Sequence, residues 1–427
     1  MVFVGGRPKE IELHLLFTAG IYLLIGGILI SLLPGTPAWQ GFLATVTTIG
    51  GFLCVHWMWR KRNFHPDPFL LPVLMVLTAT GILFLLRLDS FYGLRQLVWM
   101  IVGLCALSLT TSWHHHYRFW SKYKYMVGAV CAFALLAPVF FGIEVGGTRS
   151  WLDFKVFYLQ PSEFVKLFLV LFLAVYLSEK RYLLMKFSGS MWERFDWLIR
   201  QWGPLLGVWV ISLALLIIQR DLGMAIIYFF TSLVLIYVST DSWKWMAISL
   251  SLFLVAGIIA YFNFSHVHTR VEIWLNPWQQ GLITGSSYQI VQSLLAINAG
   301  GMIGSGFGAG YPGFIPAVHT DFIFAAICEE MGLLGGAAII LLYIALFFRG
   351  FSIALKAHDD YGALLATGLT VVMALQVFII IAGVIKLLPL TGITLPYISY
   401  GGSSLVANFI LMGLLMNVSH RNGDFNA

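Results

Sequence analysis

The chain has 427 residues, of which 59% are hydrophobic and only 10% are charged, and its mean hydropathy is +0.87. This composition excludes an assembly of soluble domains and is typical of a membrane protein with several spans. The formal net charge of +6 is compatible with nucleic-acid binding, but in a membrane protein it more often reflects basic residues in cytoplasmic loops. We therefore expect a membrane-embedded protein with no nucleic-acid partner.

Apolar runs long enough to cross ~30 Å of hydrocarbon as α-helices recur along the whole chain. They predict an all-α polytopic membrane protein with about 12 transmembrane helices. The predicted spans lie near residues 13–33, 41–59, 69–86, 94–111, 125–141, 163–177, 203–219, 222–238, 243–262, 321–348, 362–385 and 403–419.

Lysine and arginine are unevenly distributed between the segments that connect these spans. With the N-terminus inside, 17 of them fall in cytoplasmic segments and seven in outer segments, while Lys166 lies within a span. This positive-inside bias predicts a multi-pass protein of the bacterial cytoplasmic membrane with both termini cytoplasmic. It places 142–160, 263–320 and 386–402 together on the outer face.

A cysteine-labelling experiment tests this orientation. In a cysteine-free background, an impermeant maleimide added from outside is expected to modify a cysteine at position 286 but not one at position 190. Ser286 belongs to the long outer segment, whereas Ser190 lies between the cytoplasmic residues Lys186 and Arg194. Labelling at position 190 alone would reverse the predicted orientation.

The four cysteines, Cys54, Cys105, Cys131 and Cys328, all fall in apolar runs and form no CxxC pair. We interpret them as small buried hydrophobic residues rather than as disulfide partners or metal ligands.

The outer segment 142–160, GIEVGGTRSWLDFKVFYLQ, combines the cations Arg149 and Lys155 with the indole of Trp151. This set suits a phosphate or a sugar, although an interfacial tryptophan is by itself more often a membrane anchor. Glu163 and Lys166 follow at the mouth of the next span. Their i, i+3 spacing fits both a structural ion pair and a pair that faces substrate.

Further along the chain, Asp221 follows a short polar break, and we predict that it caps the next helix. The long segment 263–320 is polar and rich in glycine, so it must lie outside the bilayer or line a wet cavity. It ends in His319-Thr320-Asp321, which leads into a span that carries Glu329 and Glu330. At least one of these two carboxyl groups should face the protein interior and be bonded or protonated.

The last outer loop, 387–404, reads LLPLTGITLPYISYGGSS and follows Lys386. Its prolines and glycines prevent a regular helix, and non-helical backbone at this depth is tolerated only against protein or a cavity. We predict that this loop, which carries Ser399, forms one wall of an outer-face cavity.

Several stretches together resemble the SEDS family, which includes RodA, FtsW and SpoVE. They occur in family order: GTRSWL with QPSEFVKL, QRDLGMA, SSYQIVQSLLAINAGGMIGSGFG, HTDFIFAAICEEMGLLG and LPLTGITLPYISYGGSS. The resemblance implies a ten-helix core over 66–427 that includes the extracellular loop 263–320. Residues 1–65, with almost no polar side chains in their two spans, are then an N-terminal two-span extension, which we interpret as an anchor.

The resemblance also implies a peptidoglycan glycosyltransferase that polymerises lipid II at the outer face together with a class B penicillin-binding protein. In that reaction a carboxylate takes the proton of the attacking hydroxyl, and cations neutralise the leaving pyrophosphate. No cofactor is assigned: a divalent cation is an alternative to arginine and lysine side chains for neutralising the leaving phosphate, and its ligands are unknown. The substrate-binding candidates are Arg149, Trp151, Lys155, Glu163, Lys166, Arg270, His319, Lys386 and Ser399.

One departure from the family pattern concerns the catalytic base. The family has an Asn-Pro or Asp-Pro pair, two further residues and then an aspartate, and here that position, counted from Asn276-Pro277, holds Gln280. A glutamine amide cannot accept a proton near neutral pH, so Glu272 or Asp321 is the alternative base. Two other hypotheses remain open: a lipid II flippase, and a non-catalytic relative that scaffolds a partner.

Overall fold

The computed structural model describes residues 8–113, 122–185, 191–279 and 285–424. Within these ranges the chain is almost entirely helical, and twelve helices are long and apolar enough to cross a membrane. The predicted all-α polytopic fold is therefore confirmed. The helices are α1 (Pro8–Leu32), α2 (Ala38–Lys61), α3 (Leu70–Leu88), α4 (Ser90–Ser112), α5 (Lys124–Phe141), α6 (Pro161–Met185), α7 (Met191–Ile218), α8 (Leu222–Thr240), α9 (Trp243–Asn263), α10 (Ser265–Leu275), α11 (Tyr288–Gly300), α12 (Ile323–Leu355), α13 (Asp360–Val384) and α14 (Gly402–Asp424).

Several of the spans, among them α7 and α12, extend well beyond the apolar runs that predicted them. Helix α7 begins at Met191 rather than near 203, since hydropathy marks only the part of a helix that matches the hydrocarbon. Helix α12 continues to Leu355 but is broken at Gly332, whose φ of 71° only glycine adopts readily.

Segment 142–160, which the charge bias predicts to be outer, forms a small antiparallel sheet that the sequence pattern did not predict. Its strands are β1 (Ile143–Val145), β2 (Thr148–Asp153) and β3 (Tyr158–Leu159), in the order β1-β2-β3. Val145 pairs with Thr148 across the Gly146-Gly147 turn, and both of these glycines have positive φ.

The polar segment 263–320 contains more regular structure than its sequence indicated. Helices α10 and α11 and a short 3-10 turn at Pro312–Phe314 lie within it. The helices satisfy many of its backbone hydrogen-bonding groups internally, so the segment does not depend on solvent alone for this.

The described residues form two compact units. The first comprises Met1–Ser112, Arg270–Arg349 and Gln376–Ala427, and the second comprises Trp113–Thr269 and Gly350–Leu375. Each unit is built from several helices, and the chain passes between them more than once.

In the first unit, α1 and α2 pack closely on each other and on α3 and α4. A Cβ on Gly41 of α2 would collide with the carbonyl of Gly27 in α1, so glycine permits this close crossing. The Tyr22 hydroxyl lies 2.9 Å from the Thr80 hydroxyl of α3, and Trp59 Nε1 donates to Thr111 of α4 at 3.0 Å. The N-terminal hairpin is therefore docked along its length.

All four cysteines have free thiols. The prediction that they are buried holds for Cys131 and Cys328, but it is wrong for Cys54 and Cys105, which are exposed on α2 and α4. Both lie within membrane-spanning helices, where a small apolar side chain is also suited to the lipid-facing surface.

Candidate functional site

Three of the predicted substrate-binding residues lie on the small sheet of the second unit. Arg149 and Lys155 are exposed, and Trp151 is half-buried on β2. The Arg149 side chain donates from Nε to the Gly142 carbonyl at 3.0 Å, while its backbone N–H donates to the Gln219 carbonyl at 3.0 Å. Strand β2 thus carries one exposed cation, Arg149, and the turn between β2 and β3 carries the other, Lys155.

Glu163 and Lys166 lie in the first turns of α6, also in the second unit. Both side chains are buried, and Lys166 Nζ donates to Glu163 Oε2 at 2.6 Å. Of the two possibilities that their spacing left open, the structure shows the ion pair, and a role toward substrate stays a prediction.

Asp221 caps helix α8 as predicted, since its Oδ1 accepts the Met224 N–H at 3.2 Å. Its second oxygen accepts from Gln160 Nε2 at 3.1 Å and from the Ser162 hydroxyl at 3.3 Å. Burial raises the pKa of Asp221, and these hydrogen bonds oppose that rise.

The first unit brings together Arg270 of α10, Asp321, and the loop that follows α13. Arg270 Nη1 donates to the Leu390 carbonyl at 2.9 Å, and Trp274 Nε1 donates to the Lys386 carbonyl at 3.2 Å. Helix α10 is thereby fastened to the loop by two side chains one turn apart. We call Arg270, Thr320, Asp321 and residues 386–392 the Asp321 cluster.

Asp321 has the electrostatic environment of a proton acceptor. Burial raises the pKa of its carboxyl from 3.8 to about 6, against a hydrogen bond from Thr320 and the positive charge of Arg270, which both lower it. Gly392 lies beside it with φ of 75°, and a Cβ there would be only 3.6 Å from Asp321 Oδ2. The loop therefore approaches the carboxylate with bare backbone.

The loop 387–404 is anchored directly beside Asp321. The buried Ser399 hydroxyl donates to the Thr320 carbonyl at 2.5 Å and accepts the Leu395 N–H at 2.9 Å. The Tyr400 N–H donates to the His319 carbonyl at 2.8 Å. The hydroxyl of Ser399 is thus engaged in holding the loop, and its predicted contact with substrate stays untested.

His319 belongs to a half-buried aromatic group. Its ring stacks on Tyr92 with centroids 4.0 Å apart and planes within 10°, and Tyr400 closes the group at 4.8 Å from Tyr92. Burial lowers the pKa of His319, while nearby Asp89 raises it. The lowered pKa favours a neutral imidazole near pH 7.

Both carboxyl groups inside α12 have partners, as the cost of burying a charge requires. Glu330 pairs with Arg87 of α3, whose Nε lies 3.2 Å from Oε1, and accepts the Gly308 N–H at 2.9 Å. Glu329 accepts the Tyr311 N–H at 2.7 Å. The prediction that at least one of them faces the interior and is bonded is confirmed.

The donor set around Asp321 does not fit a protein-held divalent cation. Among the described residues, no group of three or more histidine, cysteine, aspartate or glutamate side chains is placed to hold a metal ion. The positive charge of Arg270 acts on Asp321 and would repel a divalent cation there, and such a cation takes several oxygen ligands.

Gln280 lies outside the described residues. Glu272, the other predicted acid, is exposed on α10. The remaining candidates fall into two sets, one in each unit: Arg149, Trp151, Lys155, Glu163 and Lys166 in the second, and Arg270, Glu272, His319, Asp321, Lys386 and Ser399 in the first. Sequence reasoning missed Tyr92 and Trp274, because their relevance arises only from contacts distant in sequence, with His319 and with the Lys386 carbonyl.

The sequence profile of the FtsW/RodA/SpoVE family, described as cell cycle proteins, matches residues 67–423. The chain belongs to this family. The peptidoglycan glycosyltransferase RodA of Mycobacterium tuberculosis is 37% identical over 391 residues, which cover 88% of this chain and 82% of that protein. Stage V sporulation protein E of Bacillus subtilis is 35% identical over 361 residues, covering 81% and 92%.

A solved structure shares the SEDS fold of this chain. It is a chain from a peptidoglycan synthase complex that coordinates polymerization and crosslinking. The two superpose with a TM-score of 0.69 at 26% identity, and the match covers 83% of this chain and 98% of that one. The all-α polytopic architecture expected from the sequence is thereby confirmed, and the division into a ten-helix core and a two-span extension stays a prediction.

Proposed function

We propose that this SEDS protein is a peptidoglycan glycosyltransferase that polymerises lipid II into glycan strands at the outer face of the cytoplasmic membrane. The family match over residues 67–423 supports the reaction class. The observation that carries the proposal within this chain is Asp321, a carboxyl group whose pKa is raised to about 6 beside Arg270 and a glycine-lined loop.

The proposed reaction assigns Asp321 the proton that leaves the attacking hydroxyl. The 4-hydroxyl oxygen of one lipid-linked disaccharide bonds to the anomeric carbon of a second, and the bond from that carbon to the pyrophosphate breaks. The hydroxyl proton passes to Asp321, while the lipid pyrophosphate leaves with the bonding electrons. A base with a pKa just below the working pH is mostly ionised and still accepts a proton effectively.

Asp321 suits this role better than the two other candidates. Gln280 has an amide in place of the family carboxylate and cannot act as a base. Glu272 is exposed on α10, whereas burial raises the pKa of Asp321, and electrostatic effects on a base are larger in a partly desolvated environment. Asp321 therefore takes over the base function in this chain.

Arg270 is proposed to bind the pyrophosphate and to tune Asp321. Its replacement by alanine removes the hydrogen bond to Leu390 and the cation near Asp321. We expect Arg270→Ala to weaken lipid II binding by about tenfold or more, the weight of one charge-assisted contact. The pKa of Asp321 should also rise, so the acid limb of the rate profile should move to higher pH.

Equilibrium binding of lipid II to the purified variants measures the first effect. Arg60→Ala, on the predicted cytoplasmic side, is the matched control and should bind as the unmodified protein does. Equal affinities for the two variants would remove Arg270 from the site.

The expected partner is a class B penicillin-binding protein, which would cross-link the strands that this chain makes. The structural similarity to a chain of a peptidoglycan synthase complex supports such an assembly. Polymerisation of lipid II by the purified protein in detergent, with and without a cognate partner, tests the proposal. A product ladder supports it, and transfer of lipid II between leaflets of liposomes without polymer would favour the flippase hypothesis.

Gln280 favours one alternative, a SEDS protein that scaffolds its partner without catalysis. That alternative predicts that the chain binds the partner and stimulates it while forming no glycan product, even at high enzyme concentration. Asp321→Asn would then leave stimulation of the partner unchanged.

A further inference from the structure

The glycine-rich segment 301–311, between α11 and the Pro312–Phe314 turn, lies against the break in α12. The break at Gly332 exposes backbone groups on both sides, and the segment satisfies them. Four N–H to O bonds of 2.9–3.1 Å connect the two: Leu333 to Gly301, Leu334 to Met302, Ser305 to Glu329 and Gly306 to Glu330. A Cβ on Gly304 or Gly332 would collide with the facing backbone, so glycine is required for this contact.

Charged side chains hold the next turn of the segment. Arg87 Nη2 donates to the Gly308 and Gly310 carbonyls at 3.1 and 3.0 Å, and Arg87 also pairs with Glu330. The Gly308 N–H donates a hydrogen bond to Glu330 Oε2 at 2.9 Å. One arginine therefore links the segment to α12 and, through its own backbone, to α3.

The N-terminal hairpin supports the same turn from the other side. Leu33, just beyond α1, packs on Gly308 so closely that a Cβ on Gly308, whose φ is 84°, would collide with the leucine side chain. Helix α1 is itself fixed to α3 by Tyr22, whose hydroxyl lies 2.9 Å from that of Thr80. Gly308 thus lies between the extension and the Arg87–Glu330 pair.

We infer that Leu33 and Arg87 are positioning residues for the proposed reaction. They fix segment 301–311, and this segment continues through the Pro312–Phe314 turn to His319 and Asp321. A run of glycines has many accessible conformations, so its position has to be imposed by neighbours. The two-span extension then does more than anchor the chain, because it supplies one of the two supports. Only the catalytic part of this inference rests on the proposed function; the structural support of segment 301–311 does not depend on it.

Hydrogen exchange tests the structural part. In Leu33→Ala, amides of residues 304–311 should exchange at least about tenfold faster than in the unmodified protein, since loss of a packed side chain lowers the free energy of local opening. Leu32→Ala is the matched control, because Leu32 is the preceding leucine and is 74% exposed. It should leave the exchange unchanged.

Polymerisation kinetics test the catalytic part. Small displacements of reacting groups lower rates steeply, so Leu33→Ala should reduce kcat by about tenfold while KM for lipid II stays within about twofold. Arg87→Lys keeps a positive charge beside Glu330 but loses the paired bonds to Gly308 and Gly310, and it should give the same pattern. Leu32→Ala should match the unmodified protein in both parameters.

The possible outcomes separate the two ideas. If amide exchange in Leu33→Ala equals that in Leu32→Ala, Leu33 does not hold segment 301–311 in place. Faster exchange with an unchanged kcat would overturn its link to the reaction. An unmodified protein that forms no polymer while its exchange depends on Leu33 would contradict the proposed function and retain the structural support.

Discussion

Asp321→Asn is expected to lower lipid II polymerisation by about 10²–10⁴-fold, the usual contribution of general-base assistance. Asparagine has nearly the shape of aspartate and keeps an oxygen for the hydrogen bond from Thr320, but it cannot accept the hydroxyl proton. Lipid II binding should therefore stay close to that of the unmodified protein. The rate of glycan formation at saturating lipid II, with a separate binding measurement, checks both expectations.

Asp241→Asn is the matched control for this substitution. Asp241 ends helix α8 with φ of 50°, a conformation that asparagine also adopts readily, and it is exposed. Its replacement should leave the rate unchanged. Full activity of Asp321→Asn would exclude Asp321 as the base, and activity lost on Glu272→Gln instead would assign that role to Glu272.

Gln280→Asp is expected to raise polymerisation by at least about tenfold, which is less than the 10²–10⁴-fold contribution of general-base assistance because Asp321 already supplies a base. It restores a carboxylate at the position where the SEDS pattern has aspartate. The expected gain in rate is also small because the segment up to Tyr288 is longer than in the family pattern, and the extra length can displace the new carboxylate. Gln280→Asn should have no effect, since it shortens the side chain without adding a base.

Combining the two substitutions separates a chemical role of Asp321 from a structural one. If Asp321 acts only as the base, Gln280→Asp should restore activity to Asp321→Asn. A double variant that stays as slow as Asp321→Asn would show that Asp321 is needed for something other than accepting the proton. Inactivity of both the unmodified protein and Gln280→Asp with a partner present would favour the scaffold hypothesis.

Much of the fold could be predicted from sequence because lipid imposes simple rules. Uninterrupted apolar runs gave the spans, since only helices satisfy their own backbone there. The high free-energy cost of burying an unpaired carboxylate was enough to predict that Glu329 or Glu330 has a partner. Local spacing was enough for the Asp221 cap and the Glu163–Lys166 pair.

The small sheet and the helices within 263–320 could not be predicted in the same way. Strands β1 and β3 are short, and their residues follow no clear alternation of polar and apolar side chains. Helices α10 and α11 lie in a polar stretch where hydropathy gives no signal. Their existence depends on tertiary contacts, such as the bonds from Arg270 and Trp274 to the loop after α13.

In the candidate site, too, local sequence predicted some features, and others depend on tertiary contacts. His319 and Asp321 stood out as polar residues at the entrance to a span, but the stacking of Tyr92 on His319 joins residues more than two hundred positions apart. The Arg87–Glu330 pair and the packing of Leu33 on Gly308 are equally distant in sequence. No periodicity or spacing within one segment carries such information.

The pH dependence of lipid II polymerisation by the unmodified protein, measured with its partner from pH 5 to 8, tests the central claim most directly. The pKa of Asp321 is raised to about 6, and only the ionised carboxylate accepts a proton. The rate should therefore rise with pH, be half-maximal near pH 6 and level off by pH 8, and Arg270→Ala should move the midpoint upward. A rate that is constant from pH 5 to 8 would contradict the assignment of Asp321 as the base.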